Sequence, residues 1–290
     1  MNSLFEILAP SFPLRNALYS SLLIGLAVPP VGVFLVLGRR TILALTLPQV
    51  STLGVALVIW AASFLGIRFE SGHEGNTFAF WALCGALGAM TFTLLSQFIC
   101  EKRLGTSSNA ESSASYAIAA ALTLVLAASR RIPELGLLNM LQGEVLAVPT
   151  MLLVYQAVGF AIVAITLGLL ARPFQYVLFD RALCYASGLP ADLISCVMTV
   201  VITGTVALGG MCAGPLTVFS FLILPPLTFL PFVRNLKSLY WSSACCGVLC
   251  AFVGFWASYA LDDWNLPISA AQIVLLGLVW ITARITALFK

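Results

Sequence analysis

The feature that most limits this chain is a succession of long apolar runs with no charge near their centres. They fall at roughly 16–38, 42–66, 78–99, 114–129, 148–171, 193–212, 214–233, 239–260 and 267–288. Most reach the ~20 residues that carry a helix across a bilayer. Within lipid, backbone N–H and C=O groups must find partners inside the protein, which leaves helices or closed barrels. The runs are rich in Leu, Ala and Val and do not alternate, which excludes the barrel. Charged residues make up only 9% of the chain, too few to cover a water-facing surface. The expected fold is therefore all-α: a polytopic helical membrane protein of about nine apolar segments, one membrane domain over residues 1–290.

Details within the runs refine this reading. The fourth and sixth are short or interrupted by Gly, so either is open to a re-entrant or broken path. Pro29-Pro30, Pro48 and Pro225-Pro226 remove helix hydrogen bonds, so kinks are expected there, with Gly214 as a further hinge. The stretch EKRLGTSSNAESSAS (101–115) reads as a flexible Ser-rich loop. The N-terminal MNSLFEILAPSFPLRN has no basic region ahead of an apolar core, so it reads as an interfacial lead-in rather than a cleavable signal.

Loop charges set an orientation. One alternating set carries Arg39, Arg40, Lys102, Arg103, Arg172, Arg181, Arg234, Lys237, Arg284 and Lys290. The other carries Arg68, Arg130 and Arg131 among Glu70, Glu74, Glu134, Glu144, Asp262 and Asp263. Lys and Arg mark the cytoplasmic side, which places the C-terminus and the loop at 172–192 inside and the N-terminus outside.

That loop, RPFQYVLFDRALCYASGLPAD, is the one amphipathic stretch in the chain. Asp180 suits a helix N-terminus, where a carboxylate complements the dipole. Phe179, Arg181, Leu183, Cys184, Ala186 and Ser187 offer a mixed surface able to pack in a groove. Gly188 can take the left-handed cap, with Leu189 and then Pro190 beyond it. The stretch is either a plain connector or the place where a soluble partner grips the membrane domain.

What the spans lack is equally informative. No ionisable residue sits at the centre of a run, as a proton-coupled transporter usually requires. There is no channel filter string, Walker loop, HExxH or GxSxG, and no enzyme activity is expected. The eight cysteines form no CxxC pair and lie apart from the single histidine, His73, so they read as small hydrophobes. His73, flanked by Glu70 and Glu74, is either a solvated loop residue or an outer capture site. Any transport needs an external energy source.

FDRALCYASGLP (179–190) resembles the FDPEFARASGLP-type loop of the manganese/zinc/iron ABC-transporter permeases. GVFLVLGRRTILALTLPQVSTLGVAL (32–57), LLNMLQGEVLAV (137–148), GPLTVFSFLILPPLTF (214–229) and SYALDDWNLPISAAQIVL (258–275) resemble further elements of that family, in the family's order. The resemblance implies a permease subunit in the cell (inner) membrane that pairs with a second copy or a paralogue. It implies a cytoplasmic ABC ATPase that binds ATP and Mg, and an extracytoplasmic substrate-binding protein. No cofactor is expected in this chain, and no nucleic acid. The loop at 179–190 then corresponds to the helix that couples ATPase closure to transport, and Glu144 to an acid at the outer mouth.

One departure bears on cargo. Where the family carries an Asp and, one turn later, a His, this chain has Leu45 and Gln49. An alkyl chain and a neutral amide cannot replace a carboxylate and an imidazole as ligands of a bare divalent ion. Three readings follow: a non-identical partner permease supplies the ligands, the cargo is a chelate, or the path relies on Thr46, Gln49, Ser51 and carbonyls freed near Pro48. Gln49 and Ser51 are equally well read as polar contacts between helices. A stand-alone secondary transporter or channel for a small neutral solute is the alternative class.

Overall fold

A computed structural model describes residues 14–64, 75–104, 108–128, 150–179, 181–260 and 266–289. His73, Glu144 and Asp180, singled out above, lie outside these residues. The described chain forms α1 (Arg15–Leu37), α2 (Thr41–Phe64), α3 (Gly75–Leu104), α4 (Ser108–Ala127), α5 (Thr150–Phe179), the short α6 (Arg181–Ala186), α7 (Ala191–Phe229), α8 (Leu236–Ala260) and α9 (Ile268–Leu288). Eight of them are long and apolar enough to cross a membrane. This is the expected polytopic all-helical protein. Its outer surface carries large apolar side chains such as Phe92, Leu124, Leu169, Val200 and Leu249, as a lipid-facing belt requires.

Two places differ from the sequence expectation. The Ser-rich stretch at 101–115 is not a long loop: α3 runs to Leu104 and α4 begins at Ser108, leaving only 105–107 between them. Glu and Ala favour helix there, Glu111 in the first turn of α4 complements its dipole, and Ser112 is buried. Second, the sixth and seventh apolar runs join in the 39 residues of α7. Its one non-helical residue is Gly214, at φ 73° and ψ 166°.

Contacts show which way each leg runs. At one end of the bundle Phe34 meets Phe174, with ring centroids 5.5 Å apart, and Tyr240, at 5.6 Å. Ala191 and Ile194, at the start of α7, belong to the same cluster. At the other end Asn16 donates to Thr150 Oγ1 at 3.2 Å, so α1 and α5 run parallel. A Cβ added at Gly209 would lie 3.0 Å from the Val218 side chain. Nine residues of straight helix would separate them by about 13.5 Å. Gly32 of α1 packs against the Leu222 backbone, and α8, only six residues beyond α7, starts at the Phe34 end. The α7 chain therefore rises from the Phe34 end, turns at Gly214 inside the bundle and returns, so 193–212 and 214–233 are opposed legs. In α9, Gln272 donates to Ser21 Oγ and to the Ala251 carbonyl. This pins the first half of α9 at the far end and brings its last residues back to the Phe34 end.

The core lies among α1, α7 and α8. Gly25 and Gly247 place the backbones of α1 and α8 in contact, and Gly32 does the same for α1 and the returning leg of α7. Close backbone approach at small residues is the main packing device available where lipid removes the hydrophobic drive between helices.

Candidate functional site

The stretch after α5 is built as a helix with a defined stop. Phe179 ends α5 with its ring 65% exposed, and α6 spans only six residues. The Gly188 N–H donates to the Tyr185 carbonyl at 3.0 Å and the Leu189 N–H to the Cys184 carbonyl at 3.2 Å. With Gly188 at φ 74°, these two bonds form the left-handed glycine cap expected from the sequence. Pro190 then caps α7, its carbonyl accepting from the Ile194 N–H at 3.1 Å.

The faces of α6 are unequal. Ala182, Tyr185, Ala186, Ser187 and Gly188 are exposed, and Leu189 is half-buried. Cys184, expected on the partner-facing surface, instead turns inward and is fully buried against the Phe34 and Phe174 cluster. So short a helix has to seat one side chain in the bundle to hold its position, and a small apolar thiol fits there. Sequence reasoning missed Tyr185. Its hydroxyl donates to Asp192 Oδ2 at 2.8 Å, bridging α6 and α7 across the Gly-Leu-Pro turn. Its spacing from Asp192, across a turn with a glycine cap, was the available signal.

On α2, Leu45 and Gln49 are both half-buried and lie one turn apart, sharing a stripe with Ile42. Thr46 points elsewhere. It is fully buried, and its hydroxyl lies 2.9 Å from both the Ile42 carbonyl and the Ser112 carbonyl of α4. Ser51 is also buried, its hydroxyl unpartnered and facing Gly210 of α7. Thus the Leu45 and Gln49 stripe stays half-buried while Thr46 and Ser51 look inward to α4 and α7. Pro48, Pro225 and Pro226 are buried within continuous helix, and the Thr52 hydroxyl donates to the Pro48 carbonyl at 3.0 Å. Among the described residues no group of three or more His, Cys, Asp or Glu side chains comes together.

A bundle of eight helices long and apolar enough for a membrane, with a capped helix at one end, is the architecture of a multi-pass membrane protein. The model of the ABC 3 transport family matches residues 12–287, and the chain belongs to that family. This agrees with the metal-transporter permease resemblance carried by its motifs. Two manganese import system permease proteins named ScaB are each 23% identical over 253 residues, or 86% of this chain. The one from Streptococcus gordonii is covered over 83% of its length and that from Streptococcus parasanguinis over 82%. Among solved structures, a chain of PsaBC from Streptococcus pneumoniae in complex with Fab superposes with a TM-score of 0.81 at 17% identity, covering 97% of this chain and 94% of that one. A putative metal-chelate type ABC transporter in an inward-facing conformation gives a TM-score of 0.71 at 17% identity, covering 98% and 89%.

Proposed function

We propose that this chain is the membrane half of an importer driven by a separate cytoplasmic ATPase, with α6 as the coupling helix. The observation that carries the reading is the capped helix itself. It exposes Ala182, Tyr185, Ala186 and Ser187, is stopped by a left-handed glycine and is tied to both α5 and α7. A force on α6 passes through Cys184 to Phe174 and through Tyr185 to Asp192, so both flanking helices move with it. Charge supports the orientation. Arg39, Arg40, Arg172, Arg234, Lys237 and Arg284 lie on segments at or leading to the Phe34 end, the side that the positive-inside rule makes cytoplasmic.

The cargo proposed is a divalent metal ion or its chelate, taken from an extracytoplasmic binding protein. The manganese permeases and the metal-chelate transporter above motivate it. Leu45 and Gln49 give this protomer no charged ligand on its α2 stripe, which favours a non-identical partner permease that brings the missing ligands. Transport then proceeds by alternating access of the paired permeases.

Gly188→Val tests the coupling. A Cβ there meets nothing within 4 Å, so the change acts through φ alone. The cost of about 1–2 kcal/mol should be confined to the cap. The expected result is normal accumulation in the membrane with ATP hydrolysis no longer driving uptake. Normal uptake with full coupling, or no co-purification of an ATPase with the wild-type chain, would overturn the reading. The cargo is read from the manganese, zinc and iron content of cells lacking the gene.

A further inference from the structure

The turn of α7 has buried polar groups around it that neither coupling nor the α2 stripe uses. The α5–α7 register places them together. Gly159 of α5 packs on Leu208 of α7, and the two legs run in opposite directions. One turn further along, Gln156 comes opposite Met211 and Cys212. Gln156 is fully buried, yet neither its Oε1 nor its Nε2 has a partner. Ser20 of α1 is also fully buried, and its hydroxyl lies within hydrogen-bonding reach of the Cys212 thiol. The helix break follows directly. Pro215 has no N–H to give the Met211 carbonyl, and a leg that ends at Ala213 leaves its last carbonyls without a next turn. A buried amide left bare costs about 1–3 kcal/mol, so Gln156, bare at both its oxygen and its nitrogen, implies an occupant.

The cluster is rich in acceptors. Carbonyls at the C-terminal end of the rising leg carry the negative end of its dipole, and Gln156 Oε1 and Ser20 Oγ add neutral oxygens. No carboxylate in the described spans accompanies them, so a divalent ion would lack the anionic ligands it favours. We infer that the turn of α7 binds a monovalent, sodium-sized cation, held by the Met211 carbonyl, Ser20 Oγ and Gln156 Oε1, with Gln156 Nε2 donating to a water in its shell. Broken membrane helices present carbonyls to small cations in this way. The ion lies between α1, α5 and α7, away from the α2 stripe, and so acts as a resident of the fold that holds the opposed legs of α7 together.

The test is thermal unfolding of the full chain, purified in detergent, in sodium chloride against equal concentrations of choline chloride. Sodium should raise the midpoint by about 5 °C in a saturable manner. Gln156→Leu should abolish the difference. Ser243→Ala, which removes a buried unpartnered hydroxyl on α8, should keep it. Equal midpoints for the wild type in the two salts would mean that water alone fills the cluster and would overturn the inference. So would loss of the sodium response in Ser243→Ala. If Gln156→Leu does not accumulate, the wild-type titration and Ser20→Ala, which should weaken the response, decide the matter.

Discussion

The seam where α1 meets α8 and the returning leg of α7 contrasts with the groove between α5 and the rising leg. Both are made by small residues. At the seam, glycines let backbones touch: a methyl on Gly32 would land on the Leu222 carbonyl, and one on Gly247 on the Gly25 carbonyl. In the groove no backbone fills the place of the missing side chains: Gly204 faces open space and Gly159 admits only the Leu208 side chain. Gly159, Ile162, Val163, Thr166, Val200 and Gly204 border a hollow of about 350 Å³, with almost entirely apolar walls. Burial follows the same division, since 13 residues of α1 are buried against four of α5. A small residue in a membrane helix is therefore no measure of tightness. What matters is whether another backbone occupies the place its side chain vacates.

This contrast can be broken in order of expected effect. Gly32→Leu should be the most damaging change, because the obstacle is backbone and cannot rotate away. A cost above about 4 kcal/mol should remove the folded protein, read as loss of a monodisperse peak on size exclusion. Accumulation at the wild-type level would disprove the seam. Gln272→Leu comes next. It deprives Ser21 and the Ala251 carbonyl of their donor inside the bundle, for about 1–3 kcal/mol in thermal unfolding. Gly214→Ala follows, at about 1–3 kcal/mol, since φ 73° with ψ 166° is a backbone region that essentially only glycine adopts. The smallest effect is expected for Gly168→Ala or Gly204→Ala, where a Cβ meets nothing within 4 Å. Better helix propensity should make these neutral or stabilising by up to about 1 kcal/mol. A large loss there would show that another chain covers the face and would reduce the contrast to a property of the lone protomer.

Some of this was legible in the residues. Runs of uncharged Leu, Ala and Val marked every membrane helix, because lipid admits few alternatives for a backbone. The Ser-Gly-Leu-Pro cap was legible too, since a helix stop depends on local φ and on the missing proline N–H. The sides of side chains were not. Thr46 and Gln49 are three residues apart in one motif, yet one is locked onto α4 while the other shares a half-buried stripe with Leu45. Cys184 gave no sign that it would turn inward. Orientation about a helix axis depends on what neighbouring helices offer, and that information lies elsewhere in the chain.

By itself, then, the sequence determined the class, the number of apolar legs and the position of the capped loop, because these follow from local chemistry and the demands of lipid. Only the tertiary structure decided that two successive legs turn back on each other at Gly214, and that Ser20 of α1 lies beside Cys212 there. Ser20 and Cys212 lie on helices separated by more than a hundred positions, and nothing short of packing brings them together.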